Sequence, residues 1–124
     1  MSQYNSNNQK TFTSGETFSR GVRVKISSGA VVKAGLTDRN WIGVATHAVN
    51  TSGDPVNVHL RGFPCQVVAS EALSAGALIH TAASGKVGDT ATATGYEAGV
   101  ALTAATADGD LIEAILTGGD TANS

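Results

Sequence analysis

Aromatic side chains make up only 5% of this sequence and charged ones only 15%. A groove that stacks sugars or bases needs several exposed rings, so this scarcity argues against one. Cysteine occurs once, at Cys65, which excludes a disulfide framework within the chain. No apolar run approaches the roughly 18 residues that a membrane-crossing helix needs. The opening stretch MSQYNSNNQK lacks the apolar segment of a secretion signal. The expectation is a chain made in the cytoplasm, with no membrane partner. Neither half carries a run of like charges, so nucleic acid is not an expected partner either.

What the chain has is small residues and a repeat. Hydrophobic residues reach 41%, and glycine occurs 15 times in 124 residues. IGVATHAVNTSGDPVNVHL (42–60) aligns without a gap on AGVALTAATADGDLIEAIL (98–116) at an offset of 56. Upstream, ETFSRGVRV (16–24) answers EALSAGALI (71–79) at an offset of 55, whereas SSGAV (27–31) answers ASGKV (83–87) at 56. One residue has therefore been added between Gly76 and Ser84, as a bulge or a longer turn would require. The two copies differ in charge. Residues 1–61 hold seven basic and three acidic side chains, a net +4, and residues 62–124 hold one basic and seven acidic, a net −6.

The apolar period is two. VRVKI (22–26) and VNVHL (56–60) alternate, as strands with one covered face do. SSG, TSGDP, ASG and ADGD lie between such runs and supply turn residues. Strands are expected at 22–26, 30–33, 41–46, 56–61, 65–69, 77–81, 98–103 and 111–116. The fold class is all-β, a small antiparallel sandwich or partly open barrel built from two internally duplicated halves. The halves are expected to close one core, each covering the apolar face of the other. Residues 1–13 read as a polar N-terminal arm. Residues 14–117 read as a single β-domain with pseudo-repeats 14–60 and 69–116, and residues 118–124 as a flexible tail. Arm and tail are expected to be mobile in the free protein.

A search for chemistry yields no catalytic, cofactor-binding or metal-binding constellation. His47, His59 and His80 lack metal-ligand spacing and read as exposed. Cys65 has no neighbouring histidine or basic pair to activate it and reads as an inert thiol. Asp54 and Asp110 recur like a hydrolytic carboxylate pair, but each sits in a Gly-Asp turn before a strand, where a carboxylate bonds the local backbone. Trp41 and Tyr96 stand before the two GVA strands and read as core rather than as a stacking platform.

GVRVKISSGAVVKAG, WIGVATHAVNTSGDPVNVHLRG, ALSAGALI with ASGKVG, and AGVALTAATADGDLIEAIL, in that order and spacing, resemble the capsid cement or head decoration proteins of tailed bacteriophages. The resemblance covers about 21–116. It implies an all-β, non-enzymatic, oligomeric protein without a cofactor, seated on the outside of the major capsid protein shell and holding capsomers together. With it comes the expectation of a homotrimer, a dimer being the alternative. Tyr4, Asn5, Asn7, Asn8, Gln9, Lys10, Thr11 and Phe12 of the arm are expected to bind the capsid. A ring contact is expected between basic Arg20, Arg23 and Lys25 of one subunit and Leu78, Glu113 and Ile115 of the next. The rival reading is a glycan-binding or head-fibre β-module using Trp41 or Tyr96.

Overall fold

Alternating runs such as VNVHL need a neighbouring strand for their backbone groups and a cover for their valines. The computed structural model, which describes residues 9–92 and 94–116, supplies both twice over. Ten strands are present among the described residues. They are β1 (Gln9–Thr13), β2 (Arg23–Ser27), β3 (Ala30–Lys33), β4 (Trp41–Ala45), β5 (Pro55–Leu60), β6 (Pro64–Val68), β7 (Leu78–Thr81), β8 (Val87–Gly88), β9 (Glu97–Ala101) and β10 (Leu111–Ile115). They form two five-stranded antiparallel sheets, in the orders β1-β5-β4-β2-β3 and β6-β10-β9-β7-β8. The second order is the first moved on by five strands, so the duplication is structural.

The correspondence reaches small details. Each sheet curls until its edges are linked by one parallel bridge, Ser14 to Val31 in the first half and Ala69 to Val87 in the second, without closing. Each sheet carries a register shift at the same place, after Val24 in β2 and after Ile79 in β7. The extra residue on the facing strand is Ile42 in one half and Ala98 in the other. The added residue of the second copy lies in a hairpin. Ser27 pairs with Ala30 around a two-residue turn in which Ser28 (φ 53°) and Gly29 (φ 83°) both take left-handed angles, as a type I′ turn demands. In the second copy the loop between Ala82 and Lys86 holds three residues, Ala83–Gly85.

All eight strands read from the sequence are present. Two more were not foreseen. β8 is only two residues long. β1 falls within the polar stretch read as an arm, yet Gln9–Thr13 pairs along its whole length with β5. The expectation of a mobile arm therefore fails for Gln9–Thr13, because the free edge of β5 offers that stretch a ladder. Residues 1–8, with Tyr4, Asn5, Asn7 and Asn8, and residues 117–124 lie outside the described residues.

The expectation of one shared core is also corrected. Phe18, Val22, Val24, Val31, Ala45, Val49, Val56 and Val58 fill the inside of the first curl by themselves. A second cluster fills the other curl around Val67, Ile79, Ile112 and Leu116, and takes in Ala34, Trp41 and Val44 from the first half. The bulge at Ile42 turns Trp41 and Val44 to the same side, so that the outer face of the first sheet becomes the seam between the halves.

Candidate functional site

The seam is organised around a charge. Arg23, read as an outward position, is fully buried. Alternation in VRVKI put Val24 inside its own curl and Arg23 on the opposite face, and the second half covers that face. Its guanidinium reaches the β7–β8 hairpin, donating from Nε to the carbonyl oxygen of Lys86 (3.1 Å) and from Nη2 to that of Ala82 (2.7 Å). Burial pushes its pKa down to about 10, against the pull of Asp38, so it keeps its charge at neutral pH. Trp41 lies between Arg23 and Arg61, whose guanidinium carbons stand 5.5 and 5.1 Å from its ring centre, within cation–π range. With 1% of its surface exposed, Trp41 cannot be a platform for a sugar. Three further contacts stitch the seam. Val68 N–H donates to Gly21 O (2.9 Å), Thr81 Oγ1 to Leu36 O (2.9 Å), and Arg20 to Gln66 Oε1.

The other expected interface residues divide between two places. Arg20 is exposed at the seam. Lys25 is tied to Asp38 at 2.9 Å. Leu78, Glu113 and Ile115 lie on the outer face of the second sheet, where Leu78, Val100 and Ile115 form one row across β7, β9 and β10. Leu78 is 65% exposed. Arg20 and Lys25 are therefore on the side of the seam, and the Leu78 row is on a separate face, exposed at Leu78. Gln9, Lys10 and Thr11 are exposed along β1, and Phe12 is half-buried against the first core. Sequence reasoning missed the two hairpin tips, although the one-residue difference between the copies marked them.

The titratable groups serve the fold. The Asp110 carboxylate is held below its usual pKa by the N–H and hydroxyl of Thr106 and the N–H of Ala107. Its turn role is thus visible, whereas Asp54 contributes its carbonyl oxygen, which accepts from Ser14 N–H and Oγ. Asp38 is held low first by the N–H of Gly35 and then by Lys25. Burial pushes the Cys65 thiol up to about 12, which suits an inert group. Cys65 lines a 310 Å³ cleft at the seam together with Gln9, Arg20, His59 and Gln66. The expectation that all three histidines are exposed fails for two of them. His80 is buried and His59 half-buried. Among the described residues, no group of three or more His, Cys, Asp or Glu side chains could hold a metal ion, and no helix is long and apolar enough to cross a membrane.

Among the described residues, an arrangement of exposed strand edges, hairpin tips and a partly exposed apolar row is equipped to bind macromolecular surfaces. Comparison with known proteins points the same way. No curated protein sequence matches the chain. Among solved structures, the N base of the head fiber gp8.5 in bacteriophage phi29 superposes with a TM-score of 0.69 at 19% identity, over 87% of this chain and 92% of that one. At that identity the likeness establishes a common architecture. The family model for phage cement proteins matches residues 10–116, nearly the whole described fold, and the chain belongs to the phage cement protein family.

Proposed function

We propose that this cement protein grips the capsid with its first half and leaves its second half for neighbouring copies. Membership of the family makes it a structural virion component that decorates the outside of a phage head. The finer reading concerns how it does so. Its partner is the major capsid protein, and its own copies assemble on the shell as a homotrimer, with a dimer as the rival form. Catalysis has no part in this reading. The observation that carries it is β1, an edge strand in the basic half on which Lys10 and Thr11 are both exposed. A free strand edge is a ready site for another chain's backbone. The glycan-binding alternative has lost its best aromatic, because Trp41 is buried. The phi29 neighbour is named as the base of a head fiber, which fits attachment to a head.

The test is binding to empty heads. Deleting residues 1–8, which removes Tyr4, Asn5, Asn7 and Asn8 while keeping β1, and the separate substitution Lys10→Glu should each weaken binding without changing the unfolding temperature. Undiminished binding by both variants would sink the reading.

A further inference from the structure

The geometry points to a binding site for a small organic carboxylate in the cleft at the seam between the two halves. Such a site is independent of capsid decoration and of contacts between copies. The cleft has a volume of 310 Å³, at the lower end of the range for small-molecule sites. Both halves wall it. Arg20, Val44, Ala45 and His59 come from the first, and Cys65 and Gln66 from the second. Among the described residues, no aspartate or glutamate lines it. A ligand therefore meets one cation, an amide, an imidazole and an apolar wall.

The polar groups suit an anion with a single charge. Arg20 donates from Nη2 to Gln66 Oε1. This bond holds the guanidinium at the cleft, leaves its other N–H groups for a ligand, and leaves Gln66 Nε2 as a further donor. A guanidinium takes a carboxylate through two parallel hydrogen bonds. One exposed cation balances the one charge of a carboxylate, whereas a phosphate brings more than one. Val44, Ala45 and Cys65 give a short alkyl chain an apolar surface. Burial pushes the Cys65 thiol up to about 12, so it stays neutral and adds no competing negative charge.

The seam around the cleft is short of acceptors. Among the described residues, three buried side-chain polar atoms have no hydrogen-bond partner: His59 Nδ1, Arg23 Nη1 and Trp41 Nε1. All three belong to the seam face of the first sheet. Arg23 and Trp41 can only donate. Buried polar groups in native folds have partners, and an ion is one way to supply them. His59 pairs with Val44 and Val44 with Arg23, so His59 and Arg23 stand in one row, two strands or about 10 Å apart. The Arg23 charge is buried, and Asp38, the carboxylate that acts on it, is already bound to Lys25. Its positive potential reaches the cleft through protein rather than through water, which screens it less. An anion in the cleft thus faces Arg20 directly and Arg23 behind Val44. Because it touches both halves, it also braces the seam.

Titration of the full chain with butyrate, followed by calorimetry and by amide shifts in NMR, tests this without capsids. Sodium chloride at equal ionic strength controls for a general salt effect. Butyrate should bind saturably, shift the amides of Val44, His59, Cys65 and Gln66, and raise the unfolding temperature. Butyramide has the same shape without the charge and should bind roughly 10-fold more weakly or worse. Gln66→Glu sets a carboxylate of the chain itself beside Arg20, and Arg20→Gln removes the cation; each should weaken butyrate binding by roughly 10-fold or more. Both positions are exposed, so the variants should unfold at the wild-type temperature when butyrate is absent. Arg20→Lys, which keeps the charge and loses the paired hydrogen bonds, should lose less. Absence of saturable binding up to about 100 mM butyrate, the same amide shifts with chloride or inorganic phosphate, or full affinity in both Gln66→Glu and Arg20→Gln would overturn the inference. Binding of Gln66→Glu to empty heads, scored separately, should match wild type and tells a failure here from a failure of capsid decoration.

Discussion

The guanidinium of Arg23 donates to the carbonyl oxygen of Ala82, 59 residues further along the chain, at 2.7 Å. This bond and its companion to Lys86 tie the opening strand of the first repeat to the hairpin of the second. They lie in a place where water cannot replace them.

Removing the side chain should therefore cost far more than removing a surface arginine. Arg23→Ala takes the guanidinium donor from Ala82 O and one of two donors from Lys86 O, which keeps the Ala82 N–H, and leaves a cavity beside Trp41, at a cost of about 3–5 kcal/mol. Arg23→Met, of similar length, should cost less, because it loses the same donors, the unpartnered Nη1 included, but fills the space beside Trp41. Urea unfolding checks both. Equal losses for the two variants would mean that the cavity contributes little and the lost hydrogen bonds carry the cost.

Stability should fall in acid. Asp38 and Asp110 are both held below the ordinary value of 3.8 in the folded chain. The folded state then binds fewer protons than the unfolded one. Their stabilisation is present above pH 3.8 and is lost as pH drops below it. The unfolding temperature should drop between pH 4 and pH 2, and Asp38→Asn combined with Asp110→Asn should flatten that drop. An unchanged slope in the double variant would refute the assignment.

Gly43 and Gly99 should be irreplaceable in the same way. A methyl group at Gly43 would be driven into the carbonyl oxygen of His59, and one at Gly99 into that of Ile115. Backbone cannot step aside as a side chain can, so each substitution by alanine should cost about 3 kcal/mol or more. Gly35→Ala, whose nearest neighbour is the Asp38 carboxylate at 3.4 Å, is the control and should be mild. Denaturant midpoints decide the matter.

Heads carrying the protein should outlast heads stripped of it. Binding across capsomer boundaries stabilises the closed shell by mass action. Stripped particles should release their contents at a lower temperature, and adding the protein back should restore the loss. Equal release temperatures would count against a cementing role.

The repeat was the most legible feature of the sequence, because Gly43, Gly53 and Asp54 recur at fixed distance as Gly99, Gly109 and Asp110. Alternation in VRVKI and VNVHL placed β2 and β5, and the SSG turn after the first and the Gly-Asp turn before the second bounded them. Polar QKTFT hid β1, since only Phe12 is turned toward a core and backbone pairing leaves no trace in side-chain pattern. Arg23 was misplaced for a related reason. Alternation says that two faces differ, and it cannot say that the second face is covered by another part of the chain. The surfaces of the second half were visible as Leu78, Glu113 and Ile115, but what meets them depends on tertiary geometry.

The separate interior of the first half has a consequence for synthesis. Every residue of that cluster, from Phe12 to Leu60, has been made before the linker at Arg61. Domains emerging from the ribosome fold in order, first half first. For a short time the nascent chain is a filled curl with Trp41 and Arg23 still wet. The second half, tethered through a few residues, then arrives at a high local concentration that free copies cannot match. Translation speed through residues 61–116 thus sets how long another chain has to take that place, and slow codons there would favour domain-swapped chains.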